Sequence, residues 1–225
     1  MTKFAPDFPR PTPAQIAAFA DIGTATAHEA FGRRGALHHA IKPIRKGLRL
    51  LGPAFTAKGK PGDNLTGHAA LALAKRGDVI VYSAEAFTEG AAFGDVMAEA
   101  ALQRGIAGVL IDGAARDGNI LRESDLPVFA RGLSLKSRGD KDYFGPLAEA
   151  IVVGGVEVHP GDLIIGDDDG VVVIPFADID WVAEVAQQRS EKETALRARL
   201  ASGAITTWDL FGPAILRRKG IDIEI

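Results

Sequence analysis

The run Asp95-Val96-Met97-Ala98-Glu99-Ala100-Ala101-Leu102-Gln103-Arg104-Gly105, continued by Ile106-Ala107-Gly108-Val109-Leu110-Ile111-Asp112-Gly113 and Ala114-Ala115-Arg116-Asp117, decides the fold. Its first part is built of good helix formers with apolar residues near helical spacing, and Gly105 is a stop signal. Its second part is a short β-branched apolar run between glycines, the pattern of a buried strand. Upstream, Asp78-Val79-Ile80-Val81-Tyr82 reads as another strand, so the whole is a βαβ unit. A helix of about eleven residues is roughly 16 Å long, and a strand of five or six covers about 17–20 Å. The strand therefore brings the chain back about as far as the helix took it away. Asp95 at the helix start and Arg116-Asp117 past the strand end are expected to meet beyond the carboxyl ends of parallel strands, where open α/β sheets bind ligands. Two carboxylates, an arginine and free helix N–H groups at one place suggest an enzyme site. The same trio also reads as a helix cap plus a surface ion pair, because Asp is a favoured residue at helix starts.

At 225 residues the chain can build one full core, and one domain is expected. Hydrophobic content of 47% and charged content of 24% are those of an ordinary soluble globular protein. A formal net charge of −3 argues against non-specific nucleic-acid binding. The absence of cysteine removes disulfides, thiolate metal sites and thiol nucleophiles. Met1-Thr2-Lys3-Phe4-Ala5-Pro6 lacks the apolar core of a signal peptide, and no apolar run reaches membrane-spanning length. A cytoplasmic protein without membrane or nucleic-acid partners is expected.

Residues 1–13 hold four prolines and read as an extended arm. A helix then starts with Thr12 as cap, Pro13 in first position and Gln15 completing a capping box. A second helix is expected from Thr24 to Phe31, ending at Gly32. Gly52 to Lys58 alternates like a strand, Pro61-Gly62-Asp63-Asn64 is a turn able to edge a site, and Leu65 to Lys75 is helical. Leu126 to Ala130 is a short strand, and Lys136 to Asp142 an exposed polar loop. Ala150–Val153, Asp162–Ile165 and Val171–Ile174 are β-type runs. From Ala177 to about Leu200 the pattern is helical and becomes charged, so residues 177–225 are expected to form a C-terminal helical arm for subunit contacts.

The triple aspartate at 167–169 resembles a metal site, but Asp-Gly between two β-type runs is the chemistry of a tight hairpin turn. The histidines at 28, 38, 39, 68 and 159 show no zinc spacing. No Gly-x-Ser-x-Gly elbow, P-loop or Gly-x-Gly-x-x-Gly fingerprint is present. No lysine lies within the Asp95–Asp117 unit to form a Schiff base.

Asp95, twenty residues, then Arg116-Asp117 resembles the Asp-x20-Arg-Asp signature of the 4-hydroxy-4-methyl-2-oxoglutarate aldolases. These class II pyruvate aldolases, many also oxaloacetate decarboxylases, share a fold with the regulators of ribonuclease activity A. The resemblance runs over roughly residues 15–212. It includes Ala27-His28-Glu29-Ala30, Pro61-Gly62-Asp63-Asn64, Phe93-Gly94-Asp95, Pro160-Gly161-Asp162 and Asp167-Asp168-Asp169-Gly170-Val171. It implies an α/β/β sandwich related to the swivelling phosphohistidine domains, assembled as a homotrimer or hexamer. It implies Mg²⁺ or Mn²⁺ held at Asp117, partly through waters, with Asp95 nearby. Arg116 would meet the oxygen of a small 2-oxo acid substrate. The backbone N–H groups at Val96 and Met97, following Gly94 and Asp95, would take its carboxylate. A glutamate from a neighbouring subunit's C-terminal helix would complete the site, matched here by Glu193 or Glu191. The ribonuclease regulators typically lack the aspartate that Asp117 supplies. Gly118-Asn119 departs from the apolar residue usual after Arg-Asp, and the 133–146 region matches poorly.

The chemistry is consistent with that resemblance. Cleaving a carbon–carbon bond next to a 2-oxo acid leaves an enolate that needs positive charge. A hard divalent ion with few carboxylates and several waters suits an oxygen-rich, cysteine-free site. The competing expectation is a non-catalytic, protein-binding regulator on the same fold. A methyltransferase, a name sometimes given within this family, would want a glycine-rich nucleotide loop, which is absent.

Overall fold

A computed structural model describes residues 6–137 and 141–221. The chain begins with α1 (Pro13–Ala17), α2 (Thr24–Ala30), β1 (Lys42–Pro43), β2 (Leu50–Lys58) and α3 (Leu65–Leu73). The central unit is β3 (Val79–Phe93), α4 (Asp95–Arg104), β4 (Gly108–Ala115), α5 (Gly118–Glu123) and β5 (Val128–Leu133). Then come β6 (Ile151–Val153), β7 (Val156–Val158), β8 (Leu163–Asp167), β9 (Gly170–Ile174), α6 (Ile179–Ala201) and α7 (Thr207–Arg218).

Seven strands form one sheet in the order β1-β5-β4-β3-β2-β8-β9, and β6-β7 is a separate hairpin. The inner strands β2, β3, β4 and β5 run parallel, whereas β1, β8 and β9 join antiparallel. Because side chains alternate along a strand, each parallel strand feeds two cores. Phe55, Ile80, Tyr82, Val109 and Ile111 pack with Leu71 of α3, Ala98 and Ala101 of α4 and Leu121 of α5. Ala54, Val79, Val81, Leu110 and Phe129, on the opposite face, pack with Ile151, Val153 and Val158 of the hairpin and Ile164 and Val173 of β8-β9. The outer face of β8-β9 packs Leu163, Ile165, Val172 and Ile174 against Phe19, Ala27 and Phe31 and against Ile179 and Val182 of α6. The result is a mixed α/β fold with helices on one face of the parallel strands and a β layer on the other. Truncating a fully buried residue such as Leu110 to Ala is expected to cost about 2–5 kcal/mol.

The expected βαβ unit is present, with Val79 to Ser83 of β3 paired in parallel with Gly108 to Asp112 of β4. Its limits differ for physical reasons. β3 runs on to Phe93 through three register shifts, with Glu85 and Ala86 at φ 56 and 60. Asp78 is a turn anchor, accepting from the Lys75 nitrogen at 2.8 Å and from Arg10 at 2.8 and 2.9 Å. That capture also ends α3 at Leu73 instead of Lys75. Ile106 closes the α4 terminus: Gly105 is left-handed (φ 68), and the Ile106 nitrogen donates to the Ala101 carbonyl at 3.0 Å. Pro127, which has no N–H, sits before β5.

The Thr12–Gln15 capping box forms as expected. The aspartates at 167–169 make the β8-β9 turn, with Asp167 paired across the hairpin to Gly170. Asp167 Oδ2 also accepts from the Thr24 nitrogen at 2.9 Å, at the start of α2.

The described residues form two compact units, one up to residue 186 and one from residue 187 onward. The expected arm at 177–225 is helical over α6 and α7, but Ile179, Val182 and Ala186 of α6 are core residues of the first unit. The second unit holds the rest of α6 and α7, the latter opened by a capping box of Thr206 with Asp209. Of the expected N-terminal arm, residues 1–5 lie outside the described residues. Among the described residues no helix is long and apolar enough to cross a membrane.

Candidate active site

The β3–α4 connection is Gly94 alone, and the β4–α5 connection is Arg116 and Asp117. Phe93 pairs with Ala115, and the Arg116 nitrogen donates to the Phe93 carbonyl at 2.9 Å. This register sets Arg116-Asp117 beside Gly94-Asp95, the convergence expected from the lengths of helix and strand.

Asp117 adopts the left-handed conformation at φ 59, a placement that costs a non-glycine residue on the order of 1–2 kcal/mol. It stands in the capping position of α5 without a side-chain cap bond. Its carboxylate instead faces α4, with Oδ2 3.4 Å from the Asp95 nitrogen and 3.2 Å from Arg116 Nε. A β-carbon on Gly94 would stand 2.6 Å from Asp117 Oδ2, so only glycine leaves this space to the carboxylate. Asp95 is the first helical residue, after Gly94 in the capping position, and its carboxylate accepts from the Val96 nitrogen at 2.7 Å, so part of the helix-start reading holds for it. The ion pair of the bland reading is real. Half-exposed pairs of this kind contribute little stability, so stability does not explain the strained backbone that holds it.

The first-turn N–H groups of α4 have no intrahelical acceptors. One differs from expectation: the Val96 nitrogen already donates to Asp95 Oδ1 at 2.7 Å. A substrate carboxylate would have to displace that side chain, while the Met97 nitrogen lies in the same turn. These groups face a pocket of about 270 Å³ lined by Gly94, Asp95, Val96, Met97 and Arg116. Its size is just below the roughly 300–1,000 Å³ of organic-ligand sites, suited to a small acid. Asp117 lines the adjoining surface with Gly118 and Asn119.

A second wall of the pocket comes from other parts of the chain. Gly62 and Asn64 come from the turn before α3, His68 from α3 itself, and Ser137 and Lys141 from the loop after β5. Arg116 Nη1 donates to Ser137 Oγ at 3.1 Å, and Lys141 Nζ lies 2.9 Å from His68 Nε2. Burial, and then the Lys141 cation, hold the His68 imidazole below its ordinary pKa. It is therefore the neutral acceptor of that contact. The turn expected to edge a site does so through Gly62 and Asn64. The stretch 136–142 is an exposed loop as expected at Lys136, Ser137, Lys141 and Asp142, with residues 138–140 outside the described residues, and Ser137 and Lys141 also line the pocket.

Asp63 anchors this wall. Its carboxylate is buried and accepts from the backbone nitrogens of Leu65 at 2.8 Å, Asp142 at 3.1 Å and Tyr143 at 3.2 Å. Burial pushes its pKa up, but these donors outweigh burial and leave it below the ordinary carboxylate value. Glu193 and Glu191 belong to the second unit, where Glu193 pairs with Arg189 at 2.9 Å and Arg197 at 3.9 Å.

A family model described as RraA-like, Aldolase/RraA, matches residues 24–173. The chain belongs to this family. A relative in Halalkalibacterium halodurans, named "Putative 4-hydroxy-4-methyl-2-oxoglutarate aldolase", is 36% identical over 180 residues, covering 80% of this chain and 85% of its own length. Among solved structures, an uncharacterized protein from Pseudomonas syringae pv. tomato superposes with a TM-score of 0.79 at 26% identity, over 90% of this chain and 98% of that one. Streptomyces coelicolor RraAS2, described as an unusual member of the RNase ES inhibitor RraA protein family, superposes with a TM-score of 0.75 at 28% identity, over 84% and 100%. The RraA-like family thus joins proteins named as aldolases to proteins described as ribonuclease inhibitors, and the site must decide between them.

Proposed function

We propose that this RraA-like protein is a divalent-metal-dependent class II aldolase. It would cleave 4-hydroxy-4-methyl-2-oxoglutarate-like 4-hydroxy-2-oxo acids to pyruvate and also decarboxylate oxaloacetate. The observation that carries the reading is the meeting of Arg116 and the first-turn residues of α4 at one small pocket, with Asp117 beside them, its Oδ2 3.4 Å from the Asp95 nitrogen and 3.2 Å from Arg116 Nε. The aldolase name of the relative supports it at the level of a carbon–carbon lyase.

The donor set fits Mg²⁺ or Mn²⁺ in a limited way. Asp117 Oδ1 is left without a protein donor among the described residues, and Asp95 is adjacent. Among the described residues no group of three or more His, Asp or Glu could hold a metal. The carboxylates present at the site, Asp117 and Asp95, would suit only a hard ion that keeps most of its waters and needs few carboxylates. Asp117, with Asp95, would hold it. When bound, such an ion supplies positive charge against the developing enolate.

The remaining steps belong to side chains and amides of the chain. The first-turn N–H groups of α4 bind the substrate's 1-carboxylate and fix its orientation. Arg116 donates to the 2-oxo oxygen, where negative charge grows as the C3–C4 bond breaks. The electron pair of that bond passes into the C2–C3 enolate. In aldol cleavage the 4-hydroxyl proton leaves to water held near Asp95, and the 4-carbon becomes a carbonyl. In decarboxylation the fourth carbon leaves as CO₂. Protonation at C3 then yields pyruvate in both reactions. A glutamate of a neighbouring copy, Glu193 or Glu191, completes the site in this proposal, within a homotrimer or hexamer. The layering also supports the finer reading of the fold as an α/β/β sandwich of the swivelling type.

The test is pyruvate release from oxaloacetate and from 4-hydroxy-4-methyl-2-oxoglutarate with added Mg²⁺. Turnover of both is expected. No release of pyruvate from either would favour the second reading, a protein-binding regulator, which the likeness to RraAS2 supports.

A further inference from the structure

Phe93 and Met97 line the pocket, and both also line a second, smaller space. It is a cavity of about 10 Å³ in the core between α3, α4 and the sheet, lined further by Gly67, Leu71, Ile80 and Tyr82. The hydroxyl of Tyr82 is taken up, donating to the Asp63 carbonyl at 2.7 Å, so the cavity is apolar. An apolar space at the lower size limit for one water stays dry. Met97 is 6% exposed. Its Sδ accepts weakly from Asn64 Nδ2 at 3.4 Å, and a β-carbon on Gly67 would stand 3.4 Å from its Cε. The thioether therefore fills the gap between α4 and the start of α3, with the pocket on one side and the cavity on the other.

Beside its polar groups the pocket has a buried apolar floor of Ala91, Phe93 and Met97. A 2-oxo acid has three substituents on C2. With its carboxylate at the α4 amides and its oxo oxygen at Arg116, C3 is the one left for the floor. We propose that Met97 is a specificity-determining partition, which keeps the cavity out of the pocket and so restricts the 2-oxo acid to an unbranched C3. This rests on the 2-oxo acid reading of the Arg116 end and adds the residue that sets tolerance at C3. The substrate's C4 takes one position on C3, and Met97 meets the positions that carry hydrogen.

Met97→Ala removes Cγ, Sδ and Cε and joins the pocket to the cavity, leaving room for a methyl on C3. One methyl in an apolar pocket is worth about 10- to 200-fold in discrimination. The kcat/KM for decarboxylation of 3-methyloxaloacetate, relative to that for oxaloacetate, is therefore expected to rise about tenfold or more in Met97→Ala over the wild type. A general loosening of α4 would lower both values together and leave their ratio as it was.

Binding of unreactive probes tests the partition without turnover. 2-Oxobutanoate and 3-methyl-2-oxobutanoate differ by one methyl on C3, and neither has a bond that the site could cleave. In Mg²⁺ buffer the wild type is expected to bind the unbranched acid about tenfold or more tightly than the branched one. Met97→Ala should erase most of that gap, and Met97→Val, a smaller truncation that decides the matter if the alanine variant does not fold, should narrow it. Met97→Leu, of similar volume, should keep it. Gly67→Ala added to Met97→Ala returns one carbon to the vacated space and should restore part of it. Equal wild-type affinity for the two acids, or a gap unchanged in the truncated variants, would overturn the partition while leaving the Arg116 end intact, since 2-oxobutanoate still binds. A double variant no different from Met97→Ala would count against the cavity as the space that the branch enters. Binding of neither acid by the wild type would overturn the 2-oxo acid reading and the partition together.

Discussion

The carboxylate of Asp117 occupies the space that a side chain on Gly94 would need: a β-carbon there would stand 2.6 Å from Asp117 Oδ2 and 3.2 Å from Arg116 Cγ. Gly94 has φ −152, extended backbone that alanine adopts freely, so Gly94→Ala tests crowding and not strain. The substitution is expected to push Asp117 and Arg116 off their positions. A misplacement of about 1 Å at a reacting centre costs on the order of 10² in rate. A fall in kcat of that order, with circular dichroism and oligomer size unchanged, is the expected result. Wild-type kcat in this variant would show that the packing of Asp117 against Gly94 is irrelevant to turnover.

Metal dependence comes next. EDTA is expected to abolish pyruvate release, and Mg²⁺ or Mn²⁺ to restore it. The presence of Lys141 in the pocket gives this test an alternative outcome, since a lysine facing a 2-oxo acid is the equipment of a Schiff-base aldolase. Covalent trapping of pyruvate by borohydride with full activity in EDTA would assign the chemistry to Lys141 and remove the metal.

The difference between the two walls of the pocket shows what could be read from the chain. Asp95, Arg116 and Asp117 were legible because local periodicity measures one helix and one strand, and their lengths return the chain to its start. Asn64 and His68 had a partial signal, since a turn and the helix after it set them one turn apart. Lys141 had none. Its position depends on the buried Asp63 capturing the nitrogens of Asp142 and Tyr143, bonds across 79 and 80 residues that no periodicity encodes. The β6-β7 hairpin was half legible for a simpler reason. Val156–Val158 is three residues long, too short for alternation to show, although the two-residue Gly154-Gly155 turn, both at positive φ, is hairpin chemistry. In α7 the Pro213 inside the helix masked the pattern.

Asp63 predicts a pH dependence. Its folded-state pKa lies below the unfolded value of 3.8, so its ionised form is favoured by folding. The contribution is fully present above that value and is lost as pH falls through the lower folded value. Wild-type stability, read as the urea midpoint, is expected to drop below about pH 4. Asp63→Asn should be less stable at pH 7 by about 1–3 kcal/mol, through loss of acceptors for buried N–H groups, and should lose part of the acid-dependent drop. An unchanged acid profile in the variant would remove Asp63 from the acid response.

A site shared between copies makes assembly and catalysis inseparable. Asp117→Asn and Glu193→Gln are each expected to be inactive, the first for loss of the anchoring charge. Mixing the two proteins under subunit exchange is expected to regenerate some sites with both carboxylates and recover a fraction of the activity. Glu191→Gln in place of Glu193→Gln separates the two candidate glutamates. Failure to recover activity with either glutamate variant, after labelled subunits are shown to have mixed, would count against a shared site.

Arg116→Lys distinguishes attraction of an acidic substrate from stabilisation of the enolate. Guanidinium is planar, stays charged and presents a fork of donors, here spread between Asp117 Oδ2 at 3.2 Å and Ser137 Oγ at 3.1 Å. Ammonium is a compact charge on an arm of another shape. It would keep long-range attraction while losing the donor aimed at the 2-oxo oxygen. If Arg116 acts only through its field, the change falls on KM and grows weaker with added salt. If it is positioned at the oxyanion, kcat falls by on the order of 10²–10³. The second outcome is expected, and equally for oxaloacetate decarboxylation and aldol cleavage, because both reactions pass through the same enolate oxygen. A lysine variant that kept wild-type kcat in one reaction and lost it in the other would mean that the two do not share that intermediate.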